Sequence, residues 1–278
     1  MEDKGMGDYT QLEAAPQAPP PARFFKASLV SLFVVSLGLI FVCASSSFLP
    51  TSDGHALLAE AATSDLVPPS VPSIVFLGDS ITQYGSDPTI MGFLALLAND
   101  YVRRADVLNR GAVGWTTRSW RARWPQLLAT WQSTGFPSLL AIGLGTNDAA
   151  PEGDPYHVPI DEYAANLRTL VGDVHAAFPA THVFLVTPPP VDDAICTWNR
   201  TNARTGMYAR ACLAAASALG VSVVDAWSAL QGENATDIHV HDGLHFNAKG
   251  NGLMYDLVIE HIEQHEPTLS PWALPIVF

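Results

Sequence analysis

Basic side chains are scarce in this sequence: 14 Lys and Arg stand against 27 Asp and Glu, a formal net charge of −13. Residues 1–26 hold four acids and three bases, so the remaining chain carries −12. A body of that sign repels phosphate backbones, which excludes nucleic acid as a partner; its charge serves solubility. Cysteine is nearly absent, with three residues in 278, too few for a disulfide framework. There is no internal repeat. Hydrophobic residues make up 48% of the chain, which excludes wholesale disorder.

Charge is also missing locally. Residues 27–49, ASLVSLFVVSLGLIFVCASSSFL, contain no ionisable acid or base, and a membrane-spanning helix needs about 20 mostly apolar residues. Arg23 and Lys26 precede the run, Asp53, Glu60 and Asp65 follow it, and no Lys or Arg recurs before Arg103. The positive-inside rule then predicts a cytosolic N-terminus and a body in the secretory lumen or outside the cell. The run fits a signal anchor; a cleaved signal peptide, giving a secreted protein, is the alternative. Two sequons, at Asn199 and Asn234, agree with a secretory route as possible N-glycosylation sites. Cys196 and Cys212 could pair in an oxidising lumen, or stand as separate thiols with Cys212 buried on a helix.

The chain divides into a Pro-rich cytosolic tail (1–26), the apolar span (27–49), a linker (50–72) ending in Pro68-Pro69-Ser70-Val71-Pro72, one folded domain (73–266) and a short C-terminal tail (267–278). Within the domain, short runs rich in Val, Ile and Leu recur at Ile74–Leu77, Val107–Leu108, Leu139–Leu144, Val183–Val186 and Val221–Val224. Amphipathic stretches separate them, near 90–104, 117–133, 160–178 and 204–219, and a last one covers 247–265. Continuous apolar strands alternating with helices predict an α/β fold: a parallel five-stranded sheet covered on both faces, three layers in α/β/α order. Such folds bind ligands at the carboxyl ends of their strands.

Four polar blocks fall just after strand candidates or near the C-terminus. Gly78-Asp79-Ser80-Ile81-Thr82 follows the first strand, where a Ser at a strand-to-helix turn exposes its hydroxyl. A serine needs an adjacent base to act as a nucleophile; Asp79 suits a helix N-cap. Asp242-Gly243-Leu244-His245 supplies a base. An Asp three residues before a His can reach Nδ1, orient the ring and stabilise the imidazolium. Gly145-Thr146-Asn147-Asp148 offers a side-chain amide to an oxyanion. Asn109-Arg110-Gly111-Ala112-Val113-Gly114 offers glycine backbone N–H groups that can approach a ligand closely. Each block alone reads equally as turn chemistry. His239, His241 and His245 lie close in sequence, but a metal site there has no nearby cysteine and leaves the serine block unexplained. Trp115 suits either an acyl pocket or core packing, and His157 either a loop at a pocket mouth or a surface position.

Taken together, the blocks resemble the SGNH (GDSL-type) hydrolase superfamily, whose Ser, Gly, Asn and His signature maps onto Ser80, Gly114, Asn147 and His245 over residues 73–265. The stretches Val107–Gly111, Asn147–Ala149, His157–Tyr163 and Thr187–Pro190 are similar to the isoamyl acetate-hydrolysing esterase group. The resemblance implies a flavodoxin-like hydrolase fold and a serine esterase acting on short-chain carboxylic esters, without metal or organic cofactor. It implies Ser80, Asp242 and His245 as catalytic residues and Ser80, Gly114 and Asn147 as an oxyanion hole. Ile81 stands where the family usually has Leu, and a membrane span is unusual for the group. Deacetylation of O-acetylated sugars, and an inactive binding module that keeps the fold, are the competing functions.

Overall fold

The structure, a computed structural model, describes residues 71–232 and 237–277. The apolar span at 27–49 and the sequon at Asn234 lie outside the described residues. Among the described residues, no helix is long and apolar enough to cross a membrane.

Five strands form one parallel sheet: β1 (Ser73–Gly78), β2 (Asp106–Gly111), β3 (Leu139–Gly143), β4 (His182–Val186) and β5 (Ser222–Val224), in the order β2-β1-β3-β4-β5. The helices are α1 (Ser80–Tyr84), α2 (Phe93–Asp100), α3 (Thr117–Thr134), α4 (Ile160–Ala177), α5 (Asn202–Leu219), α6 (Ala226–Ala229) and α7 (Ala248–His265).

Strand side chains alternate between faces, and the core divides accordingly. Val75 and Leu77 of β1, with Leu140 and Ile142 of β3, pack against Trp120 and Trp124 of α3, Leu167 and Leu170 of α4, and Cys212 of α5. Ile74 and Phe76, with Leu139 and Ala141, pack on the opposite side against Leu94 and Leu97 of α2 and Val258 and Ile262 of α7. Both faces being apolar is why the strands read as continuous hydrophobic runs. The expected three layers are therefore present.

Two local details differ from the sequence reading. The 90–104 stretch is not one helix: Asp87 caps a 3₁₀ turn at Pro88–Ile90, Met91 turns left-handed with φ 49°, and α2 starts only at Phe93. The segment read as a tail packs on the domain, where the Tyr101 hydroxyl donates to the Leu269 carbonyl at 2.8 Å and Leu274 is buried.

The proposed Cys196–Cys212 disulfide is corrected: both cysteines are free. Cys212 lies ten residues into α5, about 15 Å along the axis from its start at a 1.5 Å rise per residue, with its thiol directed at the Val186 carbonyl. Cys196 belongs to the loop that precedes the helix. Burial pushes the Cys212 thiol up to about 12, so it stays a protonated core group.

Candidate active site

The order 2-1-3-4-5 sends the chain from β1 to one neighbour, β2, and then across to the other, β3. A crevice opens at that switch point, beyond the carboxyl ends of the strands. All four polar blocks project there.

Ser80 is the first residue of α1, directly after β1, and is 4% exposed. Asp79 is the N-cap, its Oδ1 accepting the Ile81 N–H at 2.9 Å. The Ser80 N–H points out of the helix start, where backbone donors lack intrahelical acceptors. Asn109 fixes the second block to this helix: its amide donates to Thr82 O at 2.8 Å and Ser86 Oγ at 2.7 Å, while its Oδ1 accepts from Gly111 N at 2.7 Å. Gly114 sits at φ 74°, a left-handed conformation that glycine adopts at no steric cost. A Cβ there would stand 3.2 Å from the Tyr156 ring. Asn147 is nearly buried after β3 and gives one amide hydrogen to Trp115 O at 3.0 Å, which leaves the other for a ligand.

The fourth block folds back on itself. Val240 N donates to His245 O at 2.8 Å and Gly243 N to Val240 O at 3.1 Å. Gly243, at φ 70°, lies so close to the 192–197 loop that a Cβ would be 2.7 Å from Cys196 N. Asp242 then accepts four hydrogen bonds. Oδ1 takes the N–H groups of Leu244 and His245, each at 3.0 Å; Oδ2 takes His245 Nδ1 at 2.6 Å and Trp198 Nε1 at 3.1 Å. Burial alone would raise this carboxyl, but the bonds from His245, Leu244 and Trp198 outweigh it and hold the group down at about 2. An ionised Asp242 requires Nδ1 of a neutral imidazole to carry the proton, leaving Nε2 as the acceptor. Nε2 lies 2.8 Å from Ser80 Oγ. The blocks at 78–82 and 242–245, 165 residues apart, thus meet as hydroxyl, imidazole and carboxylate in series.

Beneath the site lie two buried carboxyls. Burial raises Asp79 to about 7, helped by the charge of Asp148; burial raises Asp148 to about 6, against hydrogen bonds from Thr117. His157 ties the 150–157 loop together through Nδ1 and Ala150 O at 2.7 Å. Trp115 packs edge-on against Trp120 with ring centroids 4.7 Å apart, on the core side. His239 Nε2 is engaged by Pro190 O at 3.0 Å, and both ring nitrogens of His245 are already used.

The cleft over Ser80 has a volume of about 160 Å³ and is also lined by Tyr84, Tyr156, Trp198 and Arg200. Sequence reasoning missed these four. Three come from irregular segments with no periodicity, and Tyr84 ends a helix of five residues. Tyr84 and Trp198 flank the His245 ring edge-on, with centroids at 5.2 and 6.2 Å.

Known proteins resemble this chain in sequence and in fold. The profile of the GDSL-like lipase/acylhydrolase family matches residues 76–253. The isoamyl acetate-hydrolyzing esterase 1 homolog of Homo sapiens is 35% identical over 216 residues, covering 73% of this chain and 86% of that protein. A GDSL esterase/lipase of Arabidopsis thaliana is 36% identical over 225 residues, covering 74% and 91%. The lipase/acylhydrolase from Enterococcus faecalis shares the fold at TM-score 0.57 and 23% identity, over 70% of this chain and 96% of that one. Four separated blocks converging on one crevice, and a family match over most of the folded domain, place the chain in the GDSL-like lipase/acylhydrolase family, and with it among the carboxylic ester hydrolases.

Proposed function

We propose that the chain cleaves short-chain carboxylic esters through an acyl-enzyme on Ser80. The observation that carries this is the 2.8 Å approach of His245 Nε2 to Ser80 Oγ with Asp242 at 2.6 Å behind the ring. His245 removes the Ser80 proton as Oγ attacks the ester carbonyl. Asp242 keeps the ring in the correct tautomer and stabilises the imidazolium. The N–H groups of Ser80 and Gly114 and the free amide hydrogen of Asn147 receive the oxyanion. His245 then protonates the departing alcohol, and water repeats the sequence to release the acid. A cleft of about 160 Å³ suits small esters. The test is p-nitrophenyl butyrate hydrolysis by the wild type and Ser80→Ala. Loss of activity by three orders of magnitude or more is expected on removing the nucleophile, and equal rates would reject the reading.

We further propose that this domain lies on the luminal or outer side of a membrane, held by residues 27–49, with secretion after cleavage near that run as the alternative. It rests on the uncharged run and on Arg23 and Lys26 before it. Asn199, exposed beside Trp198, is the sequon that lies among the described residues. Protease protection of a C-terminal tag in sealed microsomes, with a glycosidase-sensitive mobility shift that Asn199→Gln reduces and Asn199→Gln with Asn234→Gln abolishes, is the expected result. Digestion of the tag in intact microsomes would reject this topology.

A further inference from the structure

Arg200 is 6% exposed, yet it lines the cleft above Ser80. Two of its five N–H donors make hydrogen bonds. Nε donates to Thr146 O at 3.1 Å, and Nη1 donates to Trp198 O at 2.7 Å and lies 3.6 Å from Asp154 Oδ2, too long for a tight ion pair. The Tyr156 ring lies under the guanidinium with its centroid 5.8 Å from Cζ. Nη2, with two hydrogens, has no hydrogen-bond partner among the described residues. It is also not among their fully enclosed unsatisfied atoms, a group that holds Trp124 Nε1 alone.

A guanidinium removed from water is costly unless its hydrogens are satisfied. The carbonyls of Thr146 and Trp198 hold it at two donors but leave one end bare, and the remaining walls offer Val113, Leu244, Trp198 and the phenols of Tyr84 and Tyr156, but no carboxylate and no hydrogen bond to Nη2. The loose contact with Asp154 already offsets part of the charge, so the missing partner need only be an oxygen acceptor, without charge of its own. We propose that Arg200 Nη2 is a specificity determinant that receives an oxygen atom of the substrate other than those of the scissile ester. The class of substrate is then an oxygenated ester, with a carbonyl or hydroxyl on its acyl or alcohol part, in preference to a plain hydrocarbon ester. This rests on the ester-hydrolase reading for the substrate's scissile bond, but not for its binding.

Binding to full-length Ser80→Ala, which cannot turn over, separates the two. Calorimetry would compare ethyl levulinate with ethyl isocaproate, the same skeleton with a ketone oxygen in place of a methyl on the acyl side. It would compare acetol acetate with isobutyl acetate, the same exchange on the alcohol side. The oxygenated member of at least one pair should bind as tightly as its hydrocarbon partner or tighter. Adding Arg200→Met should weaken that member about tenfold or more, the loss expected for a hydrogen bond to a charged donor, and leave the hydrocarbon ester within about twofold. The pair that responds identifies the side. Arg200→Lys, which keeps a donor, should retain part of the difference if Arg200→Met does not fold. Tighter binding of the hydrocarbon member in both pairs by Ser80→Ala alone, or equal losses for both members on changing Arg200, would overturn the proposal. Failure of the wild type to hydrolyse any of the four esters, with the Arg200-dependent binding intact, would reject the esterase reading and leave the subsite standing.

Discussion

Trp198 Nε1 and His245 Nδ1 donate to the same carboxylate oxygen, Oδ2 of Asp242, at 3.1 and 2.6 Å. The indole thus shares with the imidazole the task of fixing Asp242, and its ring stands edge-on to His245. Half of Trp198 is exposed, so water can replace part of what it gives. Trp198→Phe keeps the ring and removes the donor. A hydrogen bond to a charged group contributes about 1.5–3 kcal/mol when buried; with this exposure, kcat is expected to fall about three- to tenfold, with KM for a small ester nearly unchanged. An unchanged kcat would show that the indole merely walls the cleft.

Asp242 itself should matter far more. Asp242→Asn preserves the shape but lets Nδ1 lose its anionic partner, and the equivalent change in a serine triad costs on the order of 10⁴ in kcat. Folding should feel it in acid. The carboxyl is held at about 2 in the folded chain against about 3.9 unfolded. Because the folded value is depressed, the stabilisation is complete above the unfolded value and disappears as pH falls from about 4 to about 2. The difference in melting temperature between wild type and Asp242→Asn should shrink across that window. A constant difference would mean that Asp242 has the same affinity for protons in both states.

Asp79 has the opposite sign. Burial raises it to about 7, so between about 4 and 7 the folded chain binds a proton that the unfolded chain has released, and stability falls as pH rises. Asp79→Asn mimics the protonated acid and keeps an acceptor for the Ile81 N–H. Its melting temperature relative to wild type should climb from pH 4 to pH 7. Parallel curves for the two proteins would show that Asp79 is ionised at no cost.

Much of this architecture can be read from the residues alone. Ile74–Leu77 and Leu139–Leu144 are apolar at every position because β1 and β3 are buried on both faces. The Asp242–His245 pair follows from spacing, since it is a local contact within one tight loop. What the sequence hides is carried by long loops. Trp198 and Arg200 lie between β4 and α5, in a segment without apolar period, and line the cleft beside a 192–197 loop that docks on Gly243. The broken helix at Pro88–Ile90 is hidden likewise, since Met91 adopts a left-handed turn that a periodicity argument does not see.

Gly114 shows how a backbone conformation can be tested as a functional group. Gly114, at φ 74°, lines the cleft, and its N–H has no acceptor among the described residues. Gly114→Ala introduces two penalties. An L-residue held left-handed costs about 1–2 kcal/mol, and the new Cβ meets Tyr156 Cε1 at 3.2 Å, a contact that the exposed ring can relieve by a small shift. Stability should therefore drop by about 1–2 kcal/mol in urea unfolding. Activity should drop further than stability explains: relaxing φ rotates the N–H away from the oxyanion position, and losing one such donor costs about 10²–10³ in kcat. If kcat/KM fell only in proportion to the unfolded fraction, Gly114 would serve the turn alone, and the oxyanion would be held by Ser80 and Asn147.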